Sequence, residues 1–277
     1  MYQSVELDET VIKAVRQGFD LEAFVDRVKN DSTYYKAFKT LRLLSHTTYT
    51  DMDFFNSKES TIAQYNAVTK QLYSAKCRQM KFISQSAKGQ FYKRSKEYRF
   101  LTARLYDKLF FTHGKVCGED NIVGGVISKS NEGKINQLKS LIFNPGQSVS
   151  GVPGIGNKMA IFDDKERQKY KFTLRYRPLN DTFCYVFKAV PKAEYKNKVV
   201  INSLETWFRL PDYSIMARKY SLSYKTMAYD FDVEMEVKLT ESVKGLVPYE
   251  VLYKGDWHLL GKRREIANFT ATITDFR

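Results

Sequence analysis

The chain has 277 residues, 43% of them apolar and 27% charged, a balance that allows a substantial core and excludes a disordered segment. Its formal charge of +14, from 45 Lys and Arg against 31 Asp and Glu, favours an anionic partner such as nucleic acid, a membrane surface or an acidic protein. No stretch approaches the roughly 18 uncharged apolar residues that a helical span needs, so no membrane-crossing helix is expected.

The opening segment has helical spacing. Val11, Ile12, Val15 and Phe19, then Leu21, Phe24, Val25 and Val28, recur every three or four residues. Gly18 separates a short first helix from a second, Asp20 can cap the second, and Asp31 or Ser32 can cap a third that carries Tyr34, Tyr35, Phe38 and Leu41. The period then changes: residues 46–55 and 61–73 are rich in Thr, Tyr, Val and Ile around a turn at 56–60, which predicts a hairpin, followed by a third strand at 78–83. Helical spacing returns over 91–111, where Leu101, Leu105 and Leu109 face one way and Lys93, Arg94, Lys96, Arg99 and Arg104 the other. That pattern predicts a basic amphipathic helix packed on its own sheet or against an anionic membrane surface.

Glycines at 114, 118, 124 and 125 mark a loop with short strand pieces at 122–127. Another helix is expected over 133–143, ended by Pro145 and Gly146, and the connection holding Gly151, Pro153, Gly154 and Gly156 is a candidate lid or rim. From residue 170 onward the pattern is β. Within 229–239, Phe231, Val233, Met235, Val237 and Leu239 alternate with Asp230, Asp232, Glu234, Glu236 and Lys238, so this strand has one wet face. Strands with one wet face and short turns pair antiparallel. The fold class expected is therefore mainly β (α+β): a large curved antiparallel sheet with covering helices. With no linker or repeat, residues 1–277 read as one domain, with N-terminal helices over 1–44 and the sheet over 45–277.

Three cysteines permit at most one disulfide within the chain; a Cys77–Cys117 bridge is one option, and Cys184, between Phe183 and Tyr185, reads as a small buried hydrophobe. His46, His113 and His258 are isolated, no HExxH or GxSxG is present, and paired acids at 163–164 and 230–236 read as solvent-facing. The segment 151–159 misses the phosphate loop by one position at Lys158 and by Met159 where a hydroxyl belongs. No metal, cofactor or catalytic residue is assigned. Rings interleaved with bases at 91–100 suggest nucleic acid, but no finger, KH or RRM signature accompanies them, so none is expected as a partner.

The stretches YYKAFKTLR (34–42), FYKRSKEYR (91–99), LYDKLFFTHGKVC (105–117), LIFNPG (141–146) and RYRPLNDTFCYVF (175–187) resemble an uncharacterised family of exported proteins from Bacteroidota. That resemblance implies a signal peptide in the precursor, removed from this form, and a periplasmic or outer-membrane location. More distantly, the order of helices and strands, with SLETWFRLPDYSIMAR (203–218) as a hairpin, resembles the periplasmic lipoprotein carrier and outer-membrane receptor fold, which implies that the sheet forms an unclosed β-barrel around an apolar cavity. Where the carrier hairpin opens on an acidic WID-type segment this chain reads TWFRL (206–210), which leaves the cargo open.

The functional expectation is non-enzymatic binding of a lipid, acyl chain or lipidated protein in the cell envelope. Candidate wall residues are Tyr185, Trp207, Tyr220, Leu222, Phe231, Val233 and Met235, with Tyr106 or Leu109 on a covering helix. Arg78, Lys93, Arg94, Arg99, Lys262, Arg263 and Arg264 are candidates for contact with an anionic surface. The rivals are a structural or protein-interaction module with a solid core and, third, a hydrolase of an envelope component. An apolar opening of several hundred cubic ångströms would separate the first from the second.

Overall fold

The computed structural model describes residues 5–119, 145–146, 155–179, 181–210, 212–225, 229–259 and 263–277. The helix expected at 133–143, the strand pieces at 122–127, Lys262 and most of the glycine-rich connection lie outside the described residues. In chain order the principal elements are β1 (Val5–Leu7), α1 (Glu9–Arg16), α2 (Leu21–Asn30), α3 (Thr33–Leu41), β2 (His46–Phe55), β3 (Thr61–Ser74), β4 (Cys77–Gly89), α4 (Leu101–Phe110) and β5 (Val116–Cys117). Then follow β6 (Tyr170–Leu179), β7 (Thr182–Pro191), β8 (Ile201–Arg209), β9 (Ile215–Lys225), β10 (Tyr229–Ser242), β11 (Gly245–Leu259) and β12 (Glu265–Thr274). The backbone gathers into two compact units, one from Met1–Tyr35 and Ile127–Ser223, the other from Lys36–Val126 and Tyr224–Arg277.

In the first unit the strand order is β1-β6-β7-β8-β9. All pairs are antiparallel except β1 with β6, where Val5 stands opposite Phe172 in a parallel register. The sequence pattern predicts only antiparallel pairing, and three residues are too few to show a period. What holds β1 is Asp8: one carboxylate oxygen caps α1 at the Val11 amide (3.0 Å), and the other accepts from the Tyr176 amide of β6 (2.8 Å). Helix α2, capped by Asp20 at the Ala23 amide, lies on β7 and β8 by setting Phe24 edge-on against Tyr185 and Phe208. Asp31 caps the next helix through the amides of Thr33 and Tyr34 and also pairs with the buried Arg218, whose guanidinium lies 4.4 Å from the Tyr34 ring centre.

In the second unit the order is β10-β11-β12-β2-β3-β4-β5, antiparallel wherever the register is described. The β2–β3 hairpin turns at the predicted residues, and along β10 the alternation holds: Phe231, Val233, Met235, Val237 and Leu239 are buried, while Asp232 and Glu234 are exposed. Helix α4 covers β2 and β12, with the Tyr106 hydroxyl 2.6 Å from Thr50 Oγ1 and its ring edge-on to Phe269. Cys77 and Cys117 form a disulfide that ties β5 to β4, and Cys184, in the other unit, is a buried thiol.

The expected helix at 91–111 is helical only from Leu101. Before it, the chain makes a tight turn in which Lys96 adopts a left-handed φ of 63° and Tyr92 bridges to Tyr98. Ring packing outweighs helix propensity here. Phe91 stacks on Tyr65, Tyr92 on Tyr98, and Phe100 on Phe54 at 4.0 Å, which a continuous helix from 91 would not permit. Lys93, Arg94 and Lys96 consequently sit on a loop and not on a basic helical face.

In neither unit does the strand order return to its start among the described residues, so neither run of strands closes. The fold is mainly β and antiparallel with a few covering helices, as the strand periodicity predicts, and it is unclosed, as the carrier resemblance implies.

Candidate functional site

The second unit carries a cavity of about 760 Å³ whose wall is assembled from four stretches. The hairpin end of β2–β3 contributes Phe55, Asn56, Ser57 and Ile62. The approach to α4 and its first turn contribute Gln90, Arg99, Phe100, Leu101 and Arg104. Strand β11 contributes Trp257, and the start of β12 contributes Arg263, Arg264 and Glu265.

The aromatic floor follows from strand register. Phe231 and Trp257 are direct cross-strand partners of β10 and β11, and their rings stack at 5.2 Å. Four residues back on the same face, Tyr253 stacks on Phe269 and its hydroxyl accepts a 2.7 Å hydrogen bond from Trp257 Nε1. The ring reaches Trp257 because Gly255 lies between them: a Cβ on Gly255 would fall 2.1 Å from the Tyr253 hydroxyl oxygen.

The charged side follows from an unusual cap. Phe100, at the N-cap of α4, offers no side-chain acceptor. Glu265 supplies it from β12, with one carboxylate oxygen 2.6 Å from the Leu101 amide and the other 2.8 Å from the Thr102 amide. Both oxygens are thus directed at the helix end. Arg264 forms a two-pronged pair with Asp256 (2.7 and 2.5 Å), a carboxylate that holds the guanidinium firmly in its charged form. Arg99, Arg104 and Arg263 have no carboxylate within ion-pair distance among the described residues, and Arg104 Nε is buried with no hydrogen-bond partner. The cavity therefore combines an apolar floor with four guanidiniums against one carboxylate.

Of the basic residues singled out in the sequence, Arg99, Arg263 and Arg264 meet at this cavity, although more than 160 positions separate the first from the others. Lys93 and Arg94 stand exposed on the preceding turn, Lys93 paired with Glu97 at 2.9 Å. Arg78 is turned inward: it is 9% exposed and binds Glu119 through Nε and Nη2, with Arg42 completing the cluster. Its charge is matched inside the unit and is not presented to a surface.

None of the nine candidate wall residues lines the cavity. In the first unit Tyr185, Tyr220 and Leu222 are buried in the core, and Trp207 is half-buried with its indole donating to Glu205 at 3.0 Å. In the second unit Val233, Met235 and Tyr106 are core, Leu109 is half-buried, and Phe231 lies behind Trp257 as the second layer of the floor. The residues overlooked in the sequence are Trp257, Phe55, Phe100 and Glu265, while Arg104 is read there only as part of a basic helical face. Only Trp257 had a legible signal, since alternation along β11 puts it on the inward face with Val251 and Tyr253.

An open antiparallel β protein with an aromatic-floored, arginine-rimmed cavity is the class that fold and site define. No protein-family model matches the chain. No curated protein matches its sequence. Among solved structures it is similar to one described as an outer membrane lipoprotein-sorting protein domain from Vibrio parahaemolyticus, at 10% identity and a TM-score of 0.28, covering 86% of this chain and 88% of that one. It is also similar to a DUF1329 family protein from Desulfovibrio piger, at 8% identity and a TM-score of 0.26, covering 95% of this chain and 92% of that one. Neither comes from the Bacteroidota.

Proposed function

We propose that this protein binds a lipid, an acyl chain or the lipid of a lipidated protein in the cell envelope, without chemistry of its own, and that the cavity floored by Trp257 is where the apolar part sits. The observation that carries this reading is the cavity itself: about 760 Å³, walled in part by Phe55, Ile62, Phe100, Leu101 and Trp257. That volume lies in the range of small-molecule sites, and each methylene moved from water onto such a wall contributes ~0.8 kcal/mol. The Cys77–Cys117 disulfide supports an oxidising, exported location. A protein-interaction role is the second reading. It is favoured by β4, which beyond Arg78 has no strand on its outer edge among the described residues and leaves Phe82 and Ile83 41% and 62% exposed.

The chain has two tryptophans, of which only Trp257 lines the cavity. In a Trp207→Phe variant, delipidated and titrated with a brominated fatty acyl chain, saturable quenching of the remaining indole is expected. Emission that stays constant, together with no uptake of radiolabelled acyl chain, would overturn the proposal.

A further inference from the structure

We infer that the cavity selects a ligand bearing a phosphate, with Arg104 as the inner contact and Arg99 and Arg263 as outer contacts, so that the preferred occupant is a phosphate-headed amphiphile. This deepens the reading above and rests on it. Three observations converge. The wall carries four arginines, and the carboxylate that shares it, Glu265, is engaged on the amides of α4, while Asp256 is engaged on Arg264. Arg99, Arg104 and Arg263 form no ion pair among the described residues, Glu97 acting on Arg104 only from farther off while it pairs with Lys93. Third, Arg104 lines this wall with its Nε enclosed and without a hydrogen-bond partner among the described residues, so a phosphate on its outer nitrogens offsets the cost of holding that guanidinium there.

The donor chemistry favours phosphate over carboxylate. Each guanidinium presents up to five N–H groups in a planar fork, and a carboxylate accepts at only two oxygens. Three unpaired forks exceed what one carboxylate can satisfy, whereas a terminal phosphate offers three oxygens and up to two charges. Asn56, Ser57 and Gln90 line the same wall and supply neutral hydrogen-bonding groups suited to an ester or glycerol portion. The helix N-terminus is not part of the recognition, because Glu265 already occupies it.

The test is calorimetric titration of the delipidated protein with lysophosphatidic acid, with monoacylglycerol of the same chain, and with inorganic phosphate. Lysophosphatidic acid is expected to bind at least roughly tenfold tighter than monoacylglycerol, as charge-assisted pairing to the head requires. That advantage, read as the ratio of the two lipids' affinities within each variant, should disappear in Arg104→Gln and shrink in the double variant Arg99→Gln/Arg263→Gln. The outer pair is exposed, so the double variant folds even where Arg104→Gln does not. Equal binding of the two lipids overturns the phosphate inference and leaves the apolar reading standing. Inorganic phosphate binding as tightly as lysophosphatidic acid supports the phosphate contact and overturns the lipid as its source. Failure of all three overturns both.

Discussion

Glu265→Ala removes the cap of α4 from a strand that lies 164 residues away in the chain. In the folded protein its carboxylate takes the first two amides of the helix at 2.6 and 2.8 Å, and the N-cap residue itself, Phe100, has nothing to offer in its place. Losing a side-chain cap costs about 0.5–2 kcal/mol, and hydrogen bonds to a charged acceptor lie at the upper end or beyond. The negative charge at the positive end of the helix adds about 0.3–1 kcal/mol. Because the cap borders the cavity, water can recover part of this, and a net loss of about 2 kcal/mol follows. That corresponds to a roughly thirtyfold drop in hydrogen-exchange protection along Leu101–Phe110, read by amide exchange with a matching fall in the urea midpoint. Glu265→Gln keeps one acceptor oxygen without the charge and should lose about half as much. Exchange in α4 that stays within about twofold of wild type in Glu265→Ala would refute the reasoning, since the helix would then be held by packing alone.

Three further outcomes are expected. Burial pushes His46 down from 6.5 to about 4, against a hydrogen bond to the Leu44 carbonyl that acts the other way, so the imidazole is neutral in the folded chain. The unfolded chain then binds the extra proton between those two values, and stability should fall by up to about 3 kcal/mol as pH drops through that window, with no effect above it. Urea midpoints at pH 7.5 and 4.5 for wild type and His46→Leu check this, and an equal loss in both proteins would sink it. Gly255→Ala forces the Tyr253 hydroxyl off Trp257 and should cost about 1–3 kcal/mol with a change in indole emission; retained stability and emission would show that the strand can shift to absorb the methyl. The Cys77–Cys117 bridge closes a separation of 40 residues, for which loss of chain entropy alone gives about 4 kcal/mol, so dithiothreitol or Cys77→Ser should lower the urea midpoint markedly. An unchanged midpoint would mean that the Arg78–Glu119 pair holds β5 in place unaided.

Much of this architecture is written in local pattern. Period-two alternation along β10, the turn at Asn56–Ser60 and the capping aspartates at 20 and 31 are decided by neighbours a few residues away, and each stands where the sequence puts it. The charge excess likewise marked Arg99, Arg263 and Arg264 as available for an anion. Other features depend on partners remote in the chain, which no local period records. Phe91 to Phe100 has helical spacing, yet its rings pack on Tyr65 and Phe54 and the helix begins only at Leu101. Arg78 and Arg104 look alike in sequence, but Glu119 neutralises the first, and the second is half-buried with its Nε unpaired among the described residues. Alternation also identified the wet face of β10 without revealing where side chains fill the interior and where they leave a space. That was decided by tertiary packing, which sealed Val233, Met235, Tyr220 and Leu222 into cores and left the opening at Trp257.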